Sequence, residues 1–459
     1  MRRVDHSEKA KAFLRNQVYQ EWHDNTFWAV RTKRDNLAYG LPEWEQLREK
    51  ASAIKRHTLT HLDEYLERFS SNAEKNGAIV HWAADAEEFN EIVFGILKEH
   101  EVRKMVKSKS MLTEECGMNP YLESRGIEVV ETDLGERIIQ LKGQKPSHIV
   151  MPAIHLGHDD VGELFEKEGI SDEPGNHDPA YLTYRARLSL RSEFLTAEAG
   201  MTGANFGIAA TGDIVVCTNE GNADMSTSCP KLHIVAIGIE KVIPDYDCLA
   251  VFQRMLCRAG TGQPTTSFTS HFRKSRPGAA PMHIVFVDNG RSKWLSDPDH
   301  WETLKCIRCG SCMNTCPVYR RSGGFSYSYF IPGPVGINLG MLRDPQAHSG
   351  NVSACTLCLS CQTVCPVKIN LGDQIYKWRQ KLPEIGIVNK EKKFISDVMS
   401  LIMVKPGIYN AATAMSHLLD KVPHAILNCR MNPWAEGHEM MKFPPKPFHK
   451  VISELEEDE

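Results

Sequence analysis

The chain contains no run of 18 or more apolar residues, so no membrane-spanning helix is expected. It lacks a strong charge of either sign: 54 Lys and Arg stand against 58 Asp and Glu, a net charge of −4. That balance gives no sign of a nucleic-acid partner. The opening MRRVDHSEKAKAF is basic but has no apolar stretch behind it, so no secretory signal is expected. No flavin or nicotinamide fingerprint is present. With 42% apolar and 24% charged residues over 459 positions, the composition is that of a soluble protein of two or three domains.

Cysteine is what the chain does have, at 14 residues. Eight of them fall in two blocks, Cys306-Ile-Arg-Cys309-Gly-Ser-Cys312-Met-Asn-Thr-Cys316-Pro317 and Cys355-Thr-Leu-Cys358-Leu-Ser-Cys361-Gln-Thr-Val-Cys365-Pro366. Tight blocks in a long chain indicate metal ligation in a reducing cytoplasm, not disulfides. Both blocks read C-x2-C-x2-C-x3-C-P, the bacterial ferredoxin pattern for [4Fe–4S] clusters. Three thiolates two residues apart wrap one face of a cubane, and loop N–H groups can point at the sulfurs. Zinc is the competing reading, but its C-x2-C pairs are usually separated by a longer loop.

In two-cluster ferredoxins the fourth cysteine serves the other cluster. Carried over, one cluster takes Cys306, Cys309, Cys312 and Cys365, and the other takes Cys355, Cys358, Cys361 and Cys316. The alternative is four consecutive cysteines per cluster. The 38 residues between Cys316 and Cys355 exceed a minimal ferredoxin spacer, so this insert either forms a docking face or fills the gap. The remaining cysteines (Cys116, Cys217, Cys229, Cys248, Cys257 and Cys429) are expected to be small buried apolar residues.

Four regions are expected. Residues 1–43 form an N-terminal helical arm. Residues 44–295 form an α/β domain with a mostly parallel sheet, because short apolar runs alternate with helical patterns. Its first helix is expected as one continuous piece over 44–75, and 146–155 (PSHIVMPAIH) is expected as a strand. Residues 296–385 form a mostly α ferredoxin-like domain. Residues 386–459 are a helical segment followed by an extended or disordered tail.

Outside the cysteines, Thr202 to Asn222 is rich in Gly, Asn and Thr. Gly203, Gly207 and Gly212 would let backbone N–H groups approach an anion, with Thr202, Asn205, Thr211 and Asn219 adding polar side chains. A Gly-rich turn needed for sheet packing explains the same residues. Lys107 and Lys109 end a strand before a helix N-terminus, where anions bind in open α/β sheets; a solvated strand end is the plainer explanation. Glu131, Asp133 and Glu136, and separately His155, His158, Asp159 and Asp160, are acid- and histidine-rich loops. His155 is the residue expected as a general base if a hydroxy acid is oxidised here.

The segments VKSKSMLTEECGMN (106–119), GIEVVETDLGERIIQL (126–141), PSHIVMPAIH (146–155), TGANFGIAATGDIVVCTNEGN (202–222) and PGPVG (332–336) together resemble the lactate utilisation protein B family. The resemblance spans about 44–380. It implies an α/β "lactate utilisation" (LUD) domain similar in fold to the ribose-phosphate isomerase and CoA-transferase group, joined to a ferredoxin-like domain with two [4Fe–4S] clusters. It implies an iron–sulfur, non-flavin subunit of an oxidoreductase complex that takes L-lactate to pyruvate. The implied partners are a cysteine-rich iron–sulfur subunit (A) and a smaller LUD-domain subunit (C). A ferredoxin-type adaptor for another 2-hydroxy-acid or quinone-linked dehydrogenase is the alternative. The expected location is cytoplasmic, with peripheral contact at the inner membrane face through partners if the acceptor is a quinone.

Overall fold

Apolar runs with Gly or Pro at their ends fold here as parallel strands buried on both faces. The computed structural model describes residues 4–387, 390–423, 426 and 443–457. Ten strands occur among them: β1 (Ile79–Ala83), β2 (Lys104–Lys107), β3 (Glu128–Glu131), β4 (Ala199–Gly203), β5 (Phe206–Ile208), β6 (Asp213–Thr218), β7 (Leu232–Gly238), β8 (Val242–Ile243), β9 (Phe268–Phe272) and β10 (His283–Val287). Six make one sheet in the order β1-β10-β7-β4-β2-β3, with every pairing parallel. The others form a small sheet, β8-β5-β6-β9.

The period-2 pleat of β7 and β10 divides the core. Ile234, Ala236, Val285 and Val287 face Phe89, Val93, Leu97 and Leu122. Val235, Ile237, Ile284 and Phe286 face Phe69, Ala73 and Ile214 on the other side. Strands covered on both faces read as continuous apolar runs, as these do.

The compact unit 1–380 also contains both cysteine motifs. The N-terminal arm is two helices, His6–Leu14 and Gln17–Tyr39, laid against the motifs. His23 Nδ1 lies 2.8 Å from the Arg320 carbonyl oxygen, and Phe27 packs edge-on against Tyr319. Arg34 donates to the Val364 carbonyl at 3.1 Å, and Arg48 to that of Cys365 at 3.0 Å. Residues 381–459 form a second unit with helices Lys390–Val404 and Pro406–Ser416, separated where Pro406 starts a new helix.

Several expectations are corrected. Residues 44–75 are two helices, Trp44–Thr60 and Leu62–Lys75, because His61 leaves helical geometry at φ −127° and ψ 38°. Residues 146–155 are turns and bends, not a strand. Their apolar side chains are ordered by local contacts, including Ser147 N donating to the Pro152 carbonyl at 3.1 Å. The end of the expected tail is a helix, Phe448–Glu457, while residues 427–442, with Cys429, lie outside the described residues.

Candidate functional site

Each cysteine block folds into the same loop. The residue before the second cysteine and the residue after it adopt left-handed backbone: Arg308 (φ 60°) and Gly310 (φ 81°) in the first block, Leu357 (φ 54°) and Leu359 (φ 61°) in the second. Non-glycine residues pay about 1–2 kcal/mol for this conformation, so the surrounding structure must over-determine it. The result is a concavity of inward N–H groups. Arg308 N donates to Cys306 Sγ and Leu357 N to Cys355 Sγ, both at 3.4 Å. The fourth cysteines also accept: Cys316 Sγ from Tyr319 N at 3.4 Å, and Cys365 Sγ from Ile369 N at 3.3 Å. Pro317 then opens helix Pro317–Ser322 behind Cys316.

The thiols crowd one another across the two blocks. Cys309 is pushed up first by burial and then by Cys306 and Cys365. Burial likewise raises Cys316, to about 11, with Cys355 and Cys358 adding to the effect. Cys365 thus stands within electrostatic reach of the first block, and Cys316 of the second. Eight thiols, three of them buried and all but Cys358 at least partly so, fed by backbone N–H groups, form a donor set that suits an iron–sulfur group.

A cavity of about 270 Å³ adjoins the first loop. It lies beyond the carboxyl ends of β2, β4 and β7, the usual place for ligands in open α/β sheets. Lys109, Gly203, Asn205 and Asn219 line it, and so do Glu115, Glu240, Lys241, Arg291, Arg308 and Cys309. Two close approaches shape the wall. A Cβ on Gly203 would sit 2.7 Å from the Ser110 side chain, and one on Gly260 would sit 2.7 Å from the Cys309 carbonyl oxygen. Asn314 Nδ2 donates to the Gly260 carbonyl at 2.8 Å, tying the cysteine loop to the α/β domain.

A buried ion triad supports this wall. Arg291 binds Glu115 through two nitrogens, at 3.0 and 2.8 Å, and Glu240 through Nε at 2.6 Å. Burial opposes ionisation of Glu240, but Arg291 and then Lys241 outweigh it and hold the carboxyl down at about 2. Lys241 donates to the Cys306 carbonyl oxygen at 3.2 Å.

The other sequence candidates lie elsewhere. Lys107 is buried and bonded to Glu131 at 2.6 Å and Thr113 at 3.0 Å; burial disfavours its charge, but Glu131 and Glu114 keep it protonated. Thr202 pairs with His233 at 2.9 Å. Thr211 and Gly212 sit at the far turn of the β5–β6 hairpin, where Asn76 donates to the Thr211 carbonyl at 2.8 Å. His155 does not line the cavity: its ring nitrogens meet Ser147 Oγ at 2.8 Å and Gln144 Oε1 at 2.9 Å, and Phe325 packs against it. Arg308, Lys241 and Glu240 were not anticipated. The one signal in the sequence was a cation inside a C-x2-C loop.

Burial alone lowers the fully buried His233 to about 3, against an ordinary 6.5. Its neutral form therefore contributes stability that is complete above pH 6.5 and is lost as pH falls toward 3. Between pH 6.5 and 5.5 the parent should lose about 1 kcal/mol more unfolding free energy in urea than His233→Gln does. Equal slopes would mean that the imidazole protonates freely in the folded state.

Among the described residues no helix is long and apolar enough to cross a membrane. Residues 66–290 match the LUD domain family, and residues 302–369 match the 4Fe-4S dicluster domain. A "Lactate utilization protein B" from Oceanobacillus iheyensis is 38% identical over 97% of this chain and 91% of its own length. Another from Shouchella clausii is 40% identical over 84% of this chain and 82% of its own. "Uncharacterized electron transport protein YkgF" of Escherichia coli is 36% identical over 88% of this chain and 86% of its own. A DUF162 family protein of Deinococcus radiodurans aligns with 49% of this chain and 98% of its own at 14% identity, but its TM-score of 0.27 is too low to inform the fold. The α/β sheet, the paired cysteine loops and these relatives agree: the chain belongs to the lactate utilization protein B family.

Proposed function

We propose that the chain is the iron–sulfur subunit of a complex oxidising L-lactate to pyruvate, handling electrons singly. The coarser role, iron–sulfur electron transfer in lactate utilisation, follows from the dicluster domain and the family. The finer reading assigns Cys306, Cys309, Cys312 and Cys365 to one [4Fe–4S] cluster, and Cys355, Cys358, Cys361 and Cys316 to the other. The observation that carries it is the placement of each fourth cysteine within electrostatic reach of the opposite block. Oxidising a secondary alcohol to a ketone releases two electrons and two protons, and two bound clusters would supply one-electron storage twice over.

The chain's own residues hold the thiolates, aim N–H groups at them and exclude water. Tyr319 and Tyr327 are buried beside Cys316, and Lys305 is buried near Cys365. The proposed partners are a cysteine-rich iron–sulfur subunit and a LUD-domain subunit.

The test is anaerobic purification with iron and acid-labile sulfide counts, followed by EPR after L-lactate is added. Roughly eight irons per chain are expected, with reduction by L-lactate only when both partners are present. Stoichiometric zinc without labile sulfide would end the electron-transfer reading. Full iron with no lactate-driven reduction in the complete complex would end the lactate assignment alone.

A further inference from the structure

The wall of the 270 Å³ cavity mixes four acids with four bases, but the two sets are differently engaged. Glu115 and Glu240 are held by Arg291. Asp133 caps the helix Leu134–Lys142 by accepting from Glu136 N at 3.2 Å, and Glu220 accepts from Leu134 N at 2.9 Å. The remaining bases are engaged more loosely. Lys109 donates to the Val150 carbonyl at 2.8 Å and lies 4.0 Å from Glu136, and Lys241 donates to the Cys306 carbonyl at 3.2 Å beside Glu240. Arg308 Nη1 is buried and has no hydrogen-bond partner among the described residues. A buried guanidinium nitrogen without a partner costs stability unless something fills the position.

We propose that this cavity is the site of a small 2-hydroxy or 2-oxo carboxylate, with Arg308 as its anchor and Lys241 and Lys109 beside it. A planar guanidinium matches a carboxylate through two parallel N–H bonds. Cavities that take drug-sized ligands run from about 300 to 1,000 Å³, so this one suits a metabolite of a few heavy atoms. Asn205, at the cavity wall with its Oδ1 accepting from Cys217 N at 2.8 Å, supplies an amide NH2 suited to a hydroxyl or keto oxygen. Arg308 immediately precedes Cys309, which itself lines the cavity, so a bound acid lies directly against the first thiolate loop. The site deepens the proposed function and rests on it only for the identity of the acid: it places acid binding in this subunit and not in a partner.

The experiment uses the anaerobic, cluster-loaded protein without partners. L-lactate, pyruvate and inorganic phosphate are titrated separately by calorimetry, and EPR of the reduced protein is recorded with and without each. At least one of the two carboxylates should bind and shift the cluster signal that a Cys306 substitution removes. Arg308→Asn keeps a side chain that tolerates left-handed backbone and should weaken binding at least tenfold with iron retained. If Arg308→Asn loses iron, Lys109→Met is read in the same way. The proposal is overturned if neither carboxylate binds at millimolar concentration, if phosphate binds more tightly than both, or if the iron-retaining variant binds normally. Any of these results in protein with reducible clusters leaves the electron-transfer role standing, whereas protein without clusters fails at that earlier step.

Discussion

Cys365→Ala should lose about half the iron of the parent, roughly four of eight atoms, and should erase the same reduced-state EPR signal that Cys306→Ala erases. Cys316→Ala should pair in the same way with Cys355→Ala. The expectation follows from thiol electrostatics: Cys365 acts on Cys309 in the first block, while Cys355 and Cys358 act on Cys316. Alanine removes the sulfur without offering an oxygen in its place. Consecutive ligation gives the opposite pairing, Cys365 with Cys355 and Cys316 with Cys306. That outcome would refute the crossed scheme while leaving two clusters in the protein.

Arg291→Met should destabilise the folded protein by about 3–5 kcal/mol, because it strands two buried carboxylates whose charge Arg291 now balances. Arg291 and its partners Glu115 and Glu240 are each only 2–7% exposed. They also come from three separate connections: the helix after β2, the turn after β7 and the helix after β10. Their loss of balance should therefore appear as a lowered urea midpoint of the whole unit, not as local fraying. The triple variant Arg291→Met, Glu115→Gln, Glu240→Gln should recover part of the loss, since no carboxylate is left stranded. A cost below about 1 kcal/mol for the single variant would show that water reaches the triad.

The parallel sheet was legible because strands buried on both faces leave a plain mark: unbroken apolar runs such as LHIVAIG and HIVFV. Residues 146–155 carry the same mark without being a strand, since an apolar run records burial and not hydrogen-bond partners. The strand β9 was missed for the converse reason: FTSHF lies on a sheet edge, partly exposed, and alternates weakly. The break at His61 left no trace, because the amphipathic pattern continues across it.

The cysteine loops were readable because their cysteines are local, four within 11 residues. The cavity was only partly readable. Lys109, Gly203, Asn205 and Asn219 line it, but the Gly-rich segment is a hairpin, which carries Thr211 and Gly212 to its opposite end. Arg308 and Lys241 meet there through tertiary folding across 67 positions, a relation no short window contains.

The clasp of helix Gln17–Tyr39 on the cysteine loops has a consequence for biosynthesis. His23 and the Arg320 carbonyl it meets are separated by 297 positions. During translation this helix leaves the ribosome long before its seat exists, with Phe27, fully buried at the end, exposed to the cell in the meantime. Such a segment is a natural client for chaperones. Under the crossed ligation proposed above, delivery of iron and sulfide would likewise wait until the second block, ending at Cys365, has been made.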